Sequence, residues 1–194
     1  MKKELVYKLF SKMPVLETER LILRPMRVSD AYDMYEYASR SDVTEYLLWS
    51  PHTSFFQTKE YLSYIEARYA AVEFYDWAVT LKETGKMIGT AGFTRIDSSS
   101  DLGEIGYVLN PQYHGMGVAT EAASRVVRFG FDNLGLNRIE AKFMKGNDAS
   151  LAVMRKLGMS FEGYLRDYML VKGRYRTIGI CSILKNEYFN AEKN

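Results

Sequence analysis

The stretch Asn110-Pro-Gln-Tyr-His-Gly-Met-Gly-Val-Ala-Thr-Glu-Ala-Ala123 decides how this chain is read. An apolar run stops at Leu109, two glycines flank Met116, and helical spacing begins at Val118, so the pattern is strand, turn and helix. Gly115 and Gly117 have no Cβ, which lets their backbone take φ values closed to other residues and approach a ligand closely. The N–H groups of His114 to Ala119 open the helix, at the end with unpaired donors and positive macrodipole. A phosphate or pyrophosphate suits that end. Two familiar phosphate loops do not fit: Val118-Ala119 stand where a Walker loop has Lys-Ser/Thr, and Thr120 where a dinucleotide fingerprint has its third glycine. Taken alone, the stretch is equally a tight strand-to-helix connection.

Its neighbours narrow the choice. From Asp76 the period is two, with Trp77, Val79 and Leu81 alternating; Glu83-Thr-Gly-Lys86 turns the chain and Met87 to Ile96 returns. Ser98 to Asp101 is the next turn. Gly103 to Leu109 is a third strand, with Ile105, Tyr107 and Leu109 on one face and Glu104, Gly106 and Val108 on the other. Three antiparallel strands thus feed the glycines. Beyond them Val118, Ala122, Val126 and Phe129 form a helical stripe ending at Leu134-Gly135. The strand Arg138 to Met144 follows a helix, so it runs parallel to its predecessor. Asn147 caps a helix over Asp148–Leu157, and strands Ser160–Val171 and Tyr175–Leu184 meet at Lys172-Gly-Arg174.

At the other end, Thr18 to Met26 reads as a strand, and Ser29-Asp30 caps a helix through about Ser39. Residues 41–74 are the most individual part: Val43, Tyr46, Leu47, Leu48 and Trp49, a Ser-Pro-His-Thr break, then a helix from about Gln57 to Phe74 with Tyr61, Ile65 and Tyr69 on one stripe. Such a stripe is core or the wall of a tyrosine-lined acceptor cleft. Leu5, Leu9 and Met13, beside Val6 and Phe10, predict an amphipathic helix over residues 4–12 that packs on the body or a neighbouring subunit. The expected architecture is α/β (α+β), a mixed, mostly antiparallel sheet of six to seven strands with helices on both faces.

Composition excludes several classes. The 194 residues, 47% hydrophobic, suit one domain over 1–194. Basic and acidic residues, 26 against 24, nearly cancel, which gives no nucleic-acid surface. The lone Cys181 allows no internal disulfide, and His52 and His114 are the only histidines, so no metal spacing arises. A cytoplasmic protein is expected. Lys8 and Lys12 break the opening before signal-peptide length, and no run approaches the ~18 apolar residues of a membrane span.

Gln112-Tyr-His-Gly115-Met-Gly117 resembles the Gln/Arg-x-x-Gly-x-Gly/Ala signature of the GNAT superfamily of N-acetyltransferases, and Asn147-x-x-Ser150 with Lys156-Leu-Gly158 resembles its next motif. Thr18-Glu-Arg-Leu-Ile-Leu-Arg24, Thr120-Glu-Ala122 and Ser182-Ile-Leu-Lys-Asn-Glu187 are similar to the ribosomal-protein alanine N-acetyltransferase branch. The resemblance spans residues 14–188 and leaves 1–13 as an extension.

The resemblance implies acetyl transfer from acetyl-CoA to a primary amine, without metal. His114, Gly115, Met116, Gly117, Val118 and Ala119 would hold the pyrophosphate, His114 through its backbone alone, with Thr120 facing the phosphate and Gln112 also among the cofactor-binding residues. Tyr107, Val108 and Leu109 would pair with the pantetheine arm, with Asn147 and Ser150 beside it, and a backbone N–H there would meet the acetyl carbonyl. The cationic amine must lose a proton, and Glu104, on the strand entering the site, is the candidate base; its alternative is a solvated strand carboxylate. The departing thiolate needs a donor. Met154 stands where many members carry a tyrosine, which leaves Ser150 for that role; its alternative is a plain first-turn polar residue. Asn147 is alternatively only a helix cap. The implied acceptor is the N-terminal amine of a protein; the alternatives are a small-molecule amine (polyamine, amino acid or antibiotic) and a CoA-binding module without catalysis. The N-terminal segment and exposed aromatics permit a homodimer.

Overall fold

The computed structural model describes residues 3–191, so Met1, Lys2 and residues 192–194 of the expected 1–194 domain, and the first two of the extension 1–13, lie outside the described residues. The chain runs α1 (Lys3–Phe10), β1 (Leu16–Glu17), β2 (Leu21–Arg24), α2 (Ala31–Ala38), α3 (Ser41–Thr44) and α4 (Phe55–Ala70). It continues through β3 (Tyr75–Leu81), β4 (Met87–Asp97), β5 (Leu102–Leu109), α5 (Val118–Asp132) and β6 (Arg138–Met144). α6 (Asp148–Lys156), β7 (Ser160–Val171), β8 (Arg174–Leu184) and α7 (Lys185–Ala191) close it. Among the described residues eight strands form one mixed sheet in the order β1-β2-β3-β4-β5-β6-β8-β7, and only β5 and β6 run parallel.

The eighth strand comes from the opening segment. Thr18–Met26 is not one strand, because the chain turns at Thr18-Glu19-Arg20, where the Thr18 hydroxyl accepts the Leu21 N–H at 2.9 Å. Leu16 then pairs with Leu23 and Glu17 with Ile22. α4 also differs from its expected bounds. Ser54 Oγ accepts the Gln57 N–H at 3.2 Å and starts the helix at Phe55, and Val72, with φ at 58°, stops it short of Phe74.

Helices cover both faces. On one, α1, α5 and α7 pack over Trp77, Val79, Ile105 and Ile139. The Phe10 ring lies 4.8 Å from Tyr75 and 5.8 Å from Trp77, and the Trp77 indole N–H donates to Pro14 O at 2.7 Å, so α1 packs on its own sheet. On the other face, Met34 and Tyr37 of α2 and Leu62 and Ile65 of α4 cover Ala78 and Met87. Among the described residues no helix is long and apolar enough to cross a membrane, and no three His, Cys, Asp or Glu side chains could hold a metal ion.

One irregularity prepares the site. β5 and β6 pair from Leu102↔Arg138 to Ile105↔Ala141 and then share no further register, although β5 runs on to Leu109 and β6 to Met144. A parallel pair with no partner past that point splays, and the β6-facing backbone groups from Gly106 onward are left without a ladder.

Candidate active site

The glycine turn sits where β5 hands over to α5. Gly115 has φ 77° and Gly117 φ 76°, and no protein atom lies within 4 Å of a Cβ built on Gly115, so conformation rather than space demands glycine there. The first helical bond is Glu121 N–H to Gly117 O at 3.0 Å, which leaves the N–H groups of Val118, Ala119 and Thr120 without helical acceptors.

Distant residues hold this turn. Glu121 Oε1 accepts from the Arg20 N–H at 2.9 Å and from the Thr18 hydroxyl at 2.5 Å, Oε2 accepts Arg20 Nε at 2.6 Å, and Arg20 Nη1 donates to Met116 O at 2.9 Å. Burial alone would raise the Glu121 pKa, but hydrogen bonds from Thr18 and Arg20 outweigh it and lower it. The Thr18-Glu-Arg20 and Thr120-Glu121 motifs are thus two halves of one clamp.

A cleft of about 550 Å³ runs from the glycine turn along β5 to α6. Its walls include Tyr107, Val108, Leu109, His114, Gly115, Gly117, Val118, Ala119, Thr120, Asn147 and Ser150, with Lys156 as a cation. Two expected ligand residues are not brought to its wall: Gln112 and Met116, the latter 57% exposed. His114 Nε2 lies 3.2 Å from Leu109 O, which ties its ring to the end of β5.

A second chamber, about 620 Å³, shares Tyr46, Leu47, Tyr107, Val108, Asn147 and Ser150 with the first and extends under α2 and α4. At the shared wall the Tyr107 hydroxyl meets both Ser150 O and Ser150 Oγ at 3.0 Å. Burial pushes the Tyr107 phenol up to about 12, with the Ser150 bond pulling the other way. Asn147 Oδ1 accepts the Ser150 N–H at 3.1 Å, so its oxygen serves as the helix cap while its amide nitrogen is a separate donor. Glu104 lines the chamber but is not solitary: Lys142 Nζ lies 2.6 Å from Oε2, and Thr94 Oγ1 3.2 Å from Oε1.

A helix N-terminus aimed at a cleft, and beside it a strand freed from its parallel neighbour, make a site for an extended anionic ligand. The family model for the acetyltransferase (GNAT) domain matches residues 20–160. The chain belongs to the GNAT acetyltransferases. It is 38% identical over 176 residues to the uncharacterized N-acetyltransferase p20 of Bacillus licheniformis, across 91% of this chain and 99% of that one. A GNAT-family acetyltransferase structure from Bacillus anthracis superposes with a TM-score of 0.79 at 27% identity, covering 89% of this chain and 99% of that one. More distant relatives from Escherichia coli are a spermidine N(1)-acetyltransferase, 24% identical over 172 residues (88% of this chain, 89% of the relative), and a ribosomal protein uS5 alanine N-acetyltransferase, 26% over 170 residues (83% and 86%). As a GNAT N-acetyltransferase the protein transfers an acetyl group, with acetyl-CoA as the donor the family implies.

Sequence reasoning passed over two polar residues of the chamber wall. Asp76, on β3, reaches the chamber wall; burial pushes its carboxyl up to about 7 against hydrogen bonds from Thr90 and the Trp77 N–H, and its Oδ1 has no partner. The Tyr37 hydroxyl, in the same chamber, is also buried and unpaired. Each such atom costs about 1–3 kcal/mol while it stays unpaired. No sequence signal marks Asp76, which falls on the side opposite Trp77, Val79 and Leu81; only the helices on both faces of the sheet cover it.

Proposed function

We propose that this GNAT enzyme acetylates a small-molecule primary amine whose body fills the 620 Å³ chamber. The observation that carries this reading is the wall itself: Trp49, Tyr61 and His52 supply aromatic surface, and the acidic Asp76 reaches the same space. Those are the features of a ligand pocket. The reading reverses the order expected from sequence, which put a protein N-terminus first; the uS5-alanine relative supports that rival.

Acetyl-CoA supplies the acetyl thioester. The N–H groups of Val118, Ala119 and Thr120, with Lys156, hold its pyrophosphate, and the free edge of Tyr107, Val108 and Leu109 pairs with the pantetheine arm. A β5 backbone N–H at the splay receives the acetyl oxygen. Glu104 takes the amine proton through Oε1, the oxygen that Lys142 does not hold. Ser150 Oγ, kept in place by Tyr107, donates to the departing thiolate from the helix turn where Met154 is buried and aliphatic. The buried, unpaired Cys181 accords with a cytoplasmic site of action. A homodimer would use β7, the sheet-edge strand on which Phe161, Tyr164, Tyr168 and Leu170 are exposed.

Thiol release from acetyl-CoA, measured with a panel of small amines and of peptides with free N-termini, tests the reading. Turnover on small amines is expected; turnover on peptides alone would overturn it.

A further inference from the structure

The acceptor chamber holds two buried polar atoms from different elements that have no hydrogen-bond partner, Asp76 Oδ1 on β3 and the Tyr37 hydroxyl on α2. The one other carboxylate on the chamber wall, Glu104, is engaged by Lys142 at 2.6 Å. Lys142 is also the single lysine or arginine on that wall, and it is held by Glu104. Asp76 therefore has an oxygen to offer and no protein cation to take it. The same chamber wall is aromatic: the Trp49 and His52 rings are 5.4 Å apart, and His52 and Tyr61 5.8 Å. A carboxylate without a counter-ion, in a chamber that also presents ring faces that attract cations, matches an organic ammonium group.

The sheet register gives the distance. Asp76 pairs with Gly92, and Gly92 with Gly106, in one row across three strands. Gly106 is the first β5 residue past the last parallel pair, at the splay where the acetyl carbonyl is placed above. Two strand spacings put the Asp76 and Gly106 backbones about 10 Å apart. The glycines keep this row clear. A Cβ on Gly92 would strike the Asp76 backbone and carboxylate, and one on Gly106 would come within 2.9 Å of Thr94 Cγ2.

We infer that Asp76 is the subsite for a second cationic group of the acceptor, so that the preferred substrate is a primary amine bearing another ammonium roughly 6–10 Å from the reacting nitrogen. The inference rests on the small-amine reading above. Tyr37 offers a hydroxyl to the same end of the substrate. Burial pushes the Asp76 carboxyl up to about 7, and a bound cation would favour its ionised form.

Initial rates of the full-length enzyme with acetyl-CoA, on straight-chain monoamines and on α,ω-diamines of three to eight carbons, read this directly. Diamines should exceed monoamines of equal length in kcat/KM by about tenfold or more, with an optimum in chain length. Asp76→Asn should collapse that ratio by about tenfold, mostly through the diamine KM, and a melting temperature no lower than the parent's shows that the variant folds. Equal kcat/KM for the two series, or a ratio indifferent to Asp76→Asn, overturns the subsite and leaves the small-amine reading standing. Turnover on peptides with none on any small amine overturns both. Should the variant fail to fold, the wild-type chain-length series decides alone.

Discussion

The proposed donor cleft and the proposed acceptor chamber share Tyr107, Val108, Asn147 and Ser150 as a wall, yet they are made of different material. The donor side is mostly backbone: helix N–H groups behind two left-handed glycines, and a strand edge freed where β5 and β6 part. Such a surface recognises phosphate and amide and is indifferent to many of its own side chains. The acceptor side is side chain: Trp49, His52 and Tyr61 from the irregular stretch before and within α4, Tyr37 from α2, and Asp76 from β3. In the proposed function, backbone groups recognise the co-substrate, while the chamber leaves the acceptor to be chosen by residue identity.

The sharpest way to break that division is at the shared wall. Ser150→Ala should lower kcat about 100-fold while acetyl-CoA binding by calorimetry changes little, since a positioned proton donor contributes on that scale. An equal loss in donor affinity would make Ser150 a binding group instead. Next in size, Gly117→Val forces a β-branched residue to φ 76° beside the anion-binding N–H groups. The acetyl-CoA KM should rise about 30-fold, with the ranking of amines against one another preserved. A changed ranking would show that the two clefts are not separable.

The chamber should carry a cost that the cleft does not. Asp76 titrates at about 7 in the fold against an ordinary 3.8, because burial opposes its charge more than Thr90 and the Trp77 N–H support it. The Tyr37, Tyr61 and Tyr69 hydroxyls that face it are themselves held above the ordinary tyrosine range by burial and stay neutral. Between pH 4 and 7 the folded protein keeps a proton that the unfolded chain has released, so this group erodes stability as pH rises through that window. Asp76→Asn should therefore stabilise the protein at pH 8 by roughly 1–2 kcal/mol, and by much less at pH 4, in urea titrations at the two pH values. A stabilised variant with impaired diamine use is the mark of a residue kept for function. No gain at pH 8 would mean that the carboxylate is already compensated in the folded state.

How much of this was legible in the sequence follows the same division. Seven of the eight strands were readable because alternation over residues 76–109 and the helical stripe from Val118 both report burial directly, and β1 escaped because two residues carry no period. The glycine turn announced an anion through positions where φ must be positive. Ser150 and Asn147 were readable as a capped first turn, but the Tyr107 hydroxyl reaching Ser150 was not, since it joins positions 43 residues apart. Glu104 looked solitary in sequence; Lys142 comes beside it only when β5 and β6 align. The chamber was least legible, because its walls gather from α2, the residues between α3 and α4, α4, β3 and β4, and no local spacing links them.

The smallest predicted effect tests whether the backbone-built cleft is as self-sufficient as it looks. Arg20 lines neither cavity; its side chain is 46% exposed, and it ties Met116 O and Glu121 to β2's entry. A positioning role predicts that Arg20→Ala raises the acetyl-CoA KM about threefold, leaves kcat with saturating donor unchanged, and costs about 1 kcal/mol of stability, the upper range for an exposed pair. The pH dependence supplies a check that a plain surface charge would not move. Glu121 has a lowered pKa in the fold, so the stability it contributes is present above the ordinary value of 4.5 and is lost as pH falls through its folded value. Removing Arg20 raises the Glu121 pKa toward that ordinary value and moves the acid-side loss upward in pH. A variant whose acid transition stays in place, with an unchanged donor KM, would show that the glycine turn holds its shape through φ alone and that the clamp from β2 is ornamental.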